Sequence, residues 1–143
     1  TKTYIYEVFE QLGRIPEHLV IPVGNGTLFL GAIFALEHLL ASGAIDHFPQ
    51  IIALQSQNCD PLLRAAKNGE DAPEAVTPTP TIAEGIAIGK PMRGEEILAL
   101  AKKHGVTFTI TLSFLVFYLK WLLIRKIYIH LYKRTNQQKH GKR

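Results

Sequence analysis

The chain has 143 residues, 47% apolar and 20% charged, with eleven Gly and eight Pro in no fixed period. These figures exclude whole-chain disorder and the collagen, solenoid and low-complexity classes, and they fit one globular domain. The net charge of +4 joins two unlike parts: residues 1–110 hold eight Lys and Arg against twelve acids, residues 111–143 eight basic residues and no acid.

Tyr4, Ile5, Val8, Phe9 and Leu12 share one helical stripe, and Gly13 stands where a helix over 3–12 would stop. Pro16 breaks the chain, after which His18 to Val23 (HLVIPV) reads as a short buried strand, with Pro22 awkward near its end. Gly24, Asn25 and Gly26 form a tight turn, and residues 27–42 are apolar at helical period up to Gly43. A second strand is expected at Ile51 to Gln55, which makes a βαβ unit and hence a parallel sheet with a right-handed crossover.

Pro61 suits the first turn of a short helix that closes at Gly69, and residues 70–81, with Pro73, Pro78 and Pro80, read as an exposed connection. After the stretch TIAEGIAIGKP (81–91) come a helix from Glu95 to His104, Gly105, and a β-branched start at Val106. The expected fold class is therefore α/β, a partial Rossmann-like parallel sheet with flanking helices over residues 1–110.

Residues 111–143 break that rhythm. Positions 106–124 contain Lys120 as their one charge, and no Gly or Pro occurs from 106 to 140. Such a run reads in three ways. It is long enough to approach the roughly 20 residues of a bilayer span, which gives a membrane contact through 106–124. It also reads as an apolar, basic C-terminal helix packed on the sheet, VTFTIT forming a strand before it. A shifted reading frame after about Ile110 would produce it as well. The basic end, with Tyr128, Tyr132 and Lys133, lies in no RNA or DNA motif, so no nucleic acid is expected as a partner.

The turn at Gly24–Thr27 is where chemistry is expected. Two glycines admit a ligand without a Cβ in the way, and the following helix start presents unpaired N–H groups and a partial positive charge, both suited to phosphate. Thr27 offers a hydroxyl and a helix cap. No GK[ST] follows, and the third glycine of a dinucleotide fingerprint would fall at Phe29, so nucleotide binding is disfavoured. Cys59, before Asp60 and Pro61 at a helix start, has a position that could lower its pKa, though an idle thiol is the plainer reading. It cannot form an internal disulfide, because no other Cys exists. His18, His38, His47 and His104 show no metal-ligand spacing, and no metal is expected. Residues 1–20 carry five charges and no secretion signal, and the initial Thr1 hints at a truncated or processed chain.

The stretches IPVGNGTLFLGAIFALEHL, DPLLRA and TIAEGIAIGKPMRGEEIL, in this order, resemble the second half of the large domain in fold-type II pyridoxal-phosphate enzymes. This is the tryptophan synthase β superfamily, and the likeness, nearest to threonine synthase-like proteins, covers about residues 1–110. The resemblance implies pyridoxal 5'-phosphate as cofactor, its phosphate held by Gly24, Asn25, Gly26, Thr27 and the Leu28 N–H. Asn25 and Thr27 depart from the more glycine-rich family pattern but keep the backbone donors. Glu84 and Lys90 flank the later motif and read as structural or solvent-facing.

Proteins of this kind carry the Schiff-base lysine two residues after a Ser, in a part of the fold expected to precede this chain. Ser42, Ser56 and Ser113 are followed two positions on by Ala44, Asn58 and Leu115, so no catalytic residue is nominated. The expectation is a fragment of an amino-acid lyase or synthase that keeps the phosphate loop, is inactive alone, and comes from a cytoplasmic, homodimeric relative acting on an amino acid. The alternative is a noncatalytic, single-pass membrane-anchored α/β module.

Overall fold

Among the described residues three parallel strands in the order β1-β2-β3 form the sheet, and each is reached through helices, as the βαβ reading requires. The computed structural model describes residues 1–111. Its elements are α1 (Thr3–Leu12), β1 (His18–Pro22), α2 (Thr27–Ala41), β2 (Gln50–Ser56), α3 (Pro61–Asn68), a 3-10 turn (Glu84–Ile86), α4 (Gly94–Lys103) and β3 (Thr107–Thr111).

Each helix carries local signals that place its ends. Helix α1 stops at Gly13 and α3 at Gly69, both in left-handed backbone that favours glycine. Pro61 opens α3, where its missing N–H costs nothing, and Arg64 pairs with Asp60 at 2.8 Å one turn back. Helix α4 places Glu95 and Glu96 in its first turn and Lys102 and Lys103 in its last, each sign at the end of the helix dipole that favours it.

The core lies between the helices and one face of the sheet. Ile21, Ile51 and Ala53 point into it from the strands, Phe29, Leu30, Ile33 and Leu36 from α2, and Ile97 from α4. Burying each large apolar side chain contributes roughly 1.5–3 kcal/mol, which holds α2 in place more than its own propensity does. Helix α2 contacts α1, α4 and β1 and is buried on most of its surface.

Three sequence expectations are corrected. Among the described residues the run from His18 forms an edge strand, His18–Pro22, in which only Ile21 is buried, with Val23 buried just beyond it; Pro22 is tolerated because an edge strand leaves one side of its ladder unpaired. Leu12, assigned to the buried stripe of α1, is 57% exposed, since the chain leaves the core at Gly13. Thr27 does not cap α2: the N-cap is Gly26, with no side-chain cap, and Thr27 is the first helical residue. The β-branched start near 106 does form a strand, β3. Among the described residues no helix is long and apolar enough to cross a membrane. The expected span at 106–124 and the apolar C-terminal helix lie, from residue 112 onward, outside the described residues.

Candidate functional site

The carboxyl ends of parallel strands are where α/β sheets gather their loops, and here that edge collects the two motifs that the sequence separates by more than fifty residues. At the end of β1 the Val23 N–H donates to the Leu54 carbonyl at 2.8 Å, extending the ladder by one residue. The chain then turns through Gly24, Asn25 and Gly26 into α2.

Gly26 has φ +85° and ψ 1°, left-handed backbone that an L side chain resists. A Cβ on it would stand 2.1 Å from Ile97 Cδ1 of α4, so the turn seats directly on the core. Gly24 is buried for a different reason. A Cβ there would come within 3.2 Å of the Gly85 carbonyl oxygen and of Ile86 Cα, and 3.1 Å of Ile88 Cγ1. The stretch TIAEGIAI thus lies against the Gly-rich turn.

Among the described residues the backbone donors of the turn are unspent. The first main-chain bond of α2 runs from the Leu30 N–H to the Gly26 carbonyl at 2.8 Å. Among the described residues, the N–H groups of Gly24, Asn25, Gly26, Thr27, Leu28 and Phe29 donate to no acceptor. Asn25, Thr27 and Leu28 are exposed, Leu28 at 39%. A run of unpaired amides at the start of a fifteen-residue helix favours an anion, through its donors and through the helix dipole. Hollows elsewhere on the surface include one of about 270 Å³ between the ends of α3 and α4 and one of about 470 Å³ beside the start of α4. The turn, with Asn25, Thr27 and Leu28 exposed, is an open cradle of amides at the sheet edge.

Sequence reasoning passed over the groups that support this edge. Gln55 is fully buried; its Oε1 accepts from the Leu63 N–H at 3.0 Å, taking one of the orphan donors of α3, and its Nε2 faces the Val23 carbonyl at 3.5 Å. Ser56 and Asn58, in and after the last residue of β2, bond to Thr81 and Pro80. A Gln alternating with Ile51 and Ala53 on a core-facing strand was the available signal, since a buried amide requires partners.

Other predicted groups fall away from the cradle or behave differently. Cys59 is buried, as the plainer reading of an idle thiol has it, and desolvation, with the Asp60 carboxylate beside it, pushes the thiol pKa up rather than letting the helix start lower it. Glu84 and Lys90 are exposed. His104 and Lys103 both bond to Glu37, at 2.8 Å and 2.7 Å, and the His104 ring stacks on Phe48 at 4.1 Å. Among the described residues no group of three His, Cys, Asp or Glu stands close enough to hold a metal.

A family model described as "Pyridoxal-phosphate dependent enzyme" matches residues 1–114. The chain belongs to this pyridoxal-phosphate-dependent enzyme family. Among curated relatives it is 27% identical over 107 residues to a threonine synthase of Methanosarcina acetivorans, covering 74% of this chain and 26% of that protein. It is 31% identical over 98 residues to an L-threonine ammonia-lyase of Thermotoga maritima, covering 68% and 22%. The chain thus spans about a quarter of the length of these members of the family. Solved structures give the same fold: a maize serine racemase at TM-score 0.58 and 18% identity, covering 78% of this chain and 31% of that one. The threonine deaminase of T.th. matches at TM-score 0.59 and 16% identity, covering 78% and 38%. At these identities the likeness concerns the fold alone.

Proposed function

We propose that residues 1–110 are the phosphate-binding portion of a pyridoxal-phosphate-dependent amino-acid lyase or synthase resembling threonine synthase. The observation that carries this reading is the run of unspent N–H groups from Gly24 to Leu28, at the start of α2 and on the carboxyl edge of a parallel sheet. These donors fit a phosphate dianion without rearrangement, because no main-chain acceptor among the described residues has to be displaced first.

The residues divide the work by position. The amides of Gly24, Asn25, Gly26, Thr27 and Leu28 hold the phosphate oxygens, with the dipole of α2 behind them adding up to about 2 kcal/mol for a partly buried anion. Asn25 and Thr27 add exposed polar side chains at the rim. Gly26, locked against Ile97, keeps the turn from shifting when the charge arrives. When bound, the cofactor supplies an electron sink for elimination or replacement at Cβ or Cγ of an amino acid. In this reading none of the residues supplies the covalent lysine, so the chain binds the cofactor by its phosphate without performing the reaction alone.

The test is titration of the purified full chain with pyridoxal 5'-phosphate, with pyridoxal, and with inorganic phosphate as competitor, followed by borohydride reduction and mass spectrometry. We expect weak binding of the phosphorylated form, competition by phosphate, and no stoichiometric lysine adduct. Equal binding of pyridoxal would remove the cradle from the reading. One lysine reduced onto the cofactor per chain would overturn the absence of that group.

A further inference from the structure

Between Val76 and Gly89 the chain makes a long excursion whose base is tied by the Val76 N–H to the Gly89 carbonyl at 2.9 Å. Gly89 is required at this tie, since a Cβ would stand 1.9 Å from the Val76 oxygen. A surface loop closed at its base still has a free crown, and crowns of this size are commonly functional. Here the crown is fixed at two further places. Ile86 and its neighbours abut Gly24, and residues 79–81 are bonded to Ser56, the last residue of β2, and to Asn58 just after it.

The second attachment is dense. The Ser56 hydroxyl, 1% exposed, donates to Thr81 Oγ1 at 3.2 Å and accepts the Asn58 N–H at 3.3 Å. The same Thr81 oxygen accepts the Ala83 N–H at 3.1 Å, fixing the entry to the 3-10 turn. Asn58 holds the crown from both its groups: Nδ2 donates to the Pro80 carbonyl at 2.5 Å, and its own carbonyl accepts the Thr79 N–H at 3.2 Å. Only three residues separate Thr81 from Gly85, whose carbonyl meets Gly24.

We infer that Asn58 and Ser56 are positioning residues that hold the 79–88 strap against Gly24 and thereby fix the shape of the phosphate-binding turn. The inference rests on the phosphate reading of that turn. Its physical content is preorganisation: a turn whose amides must all remain unpaired binds an anion well only if the wall behind it does not move. The strap is that wall, and it has no regular secondary structure beyond the Glu84–Ile86 turn to stiffen it. Stiffness comes instead from the end of β2, the central strand of the sheet.

The experiment compares the full chain with Asn58→Ala, Asn58→Asp, Ser56→Ala and Ser56→Thr. Amide hydrogen exchange at Ala83, Ile86 and Ala87 is followed without ligand, and affinity is measured for pyridoxal 5'-phosphate and for pyridoxal. Asn58→Asp keeps the shape of the side chain but loses the donor to Pro80, and it carries the test should Ser56→Ala unfold the chain. We expect both Asn58 variants and Ser56→Ala to speed exchange at these three amides about tenfold, as the loss of one or two hydrogen bonds implies. Exchange in α2 and β2 should stay unchanged. The phosphorylated ligand should weaken by about the same factor and pyridoxal not at all. Ser56→Thr, which keeps the hydroxyl, should restore both readouts.

Unchanged exchange would show that the clamp does not hold the strap. Faster exchange with unchanged phosphate affinity would show that the strap does not shape the turn. Either result overturns the inference while the phosphate reading stands. A wild-type chain that ignores the phosphate group while the variants still exchange faster would bring down the phosphate reading, and the inference with it.

Discussion

At Gly26 two demands meet on one residue: a left-handed backbone, and the absence of any atom where Ile97 Cδ1 stands 2.1 Å from the Cβ position. The first costs a non-glycine residue about 1–2 kcal/mol. The second adds an overpacking cost of about 1–3 kcal/mol, because the neighbour is a fully buried side chain with little room to withdraw. Gly26→Ala should therefore destabilise the chain by about 2–5 kcal/mol in urea denaturation. Ile97→Ala makes space for the added methyl, so the double variant should lose less than the sum of the two singles, by about 1 kcal/mol. Strict additivity would mean that backbone conformation alone selects glycine here. The sequence made the pair of glycines visible, since Gly-polar-Gly between a strand and a helix has few uses. Ile97 was invisible as its partner, because nothing in a one-dimensional pattern says which distant residue fills the space beside a missing Cβ.

The elements were legible wherever a local rule decided them, and less so where tertiary contact did. Gly13, Gly69 and Pro61 end or begin helices as their backbone chemistry dictates. The 3-10 turn at Glu84–Ile86 was not expected, because its residues pack on Gly24 and obey no periodicity. The joint between α2 and α4 is of the same kind. Glu37 accepts from Lys103 and His104, whose hydrogen bonds hold its carboxyl pKa below the usual value against a smaller opposing desolvation. A depressed carboxylate contributes stability above its unfolded pKa of about 4.3 and loses it as pH falls through the lower folded value. Lys103 is 63% exposed, so solvent screens the pair and the contribution is small. Glu37→Gln should cost about 1 kcal/mol at pH 7, and the gap from wild type should close as the pH is taken into acid, below the unfolded carboxylate range. Thermal melts across that range measure it; a gap that persists into acid would assign Glu37's role to packing.

On the scale of the whole molecule, the two faces of the sheet are unequal. Register places Ile21, Ala53 and Phe108 side by side on the face toward the helices, and Val20, Ile52 and Thr107 on the other. Ile21 and Ala53 are buried, whereas Val20 is 60% exposed and Ile52 half-buried. Parallel sheets are ordinarily covered on both faces, so an apolar outer face on an edge strand is a surface prone to self-association. Val20→Lys places a charge on that edge without touching the core. It should reduce concentration-dependent association in light scattering, while stability stays within about 0.5 kcal/mol of wild type, as for most exposed substitutions. Ile21→Lys, one residue along and facing inward, should instead unfold the chain, because it buries an unpaired charge. If Val20→Lys leaves association unchanged while Ile21→Lys unfolds, the outer face is not what brings copies together, and the exposed Val20 is an ordinary surface residue.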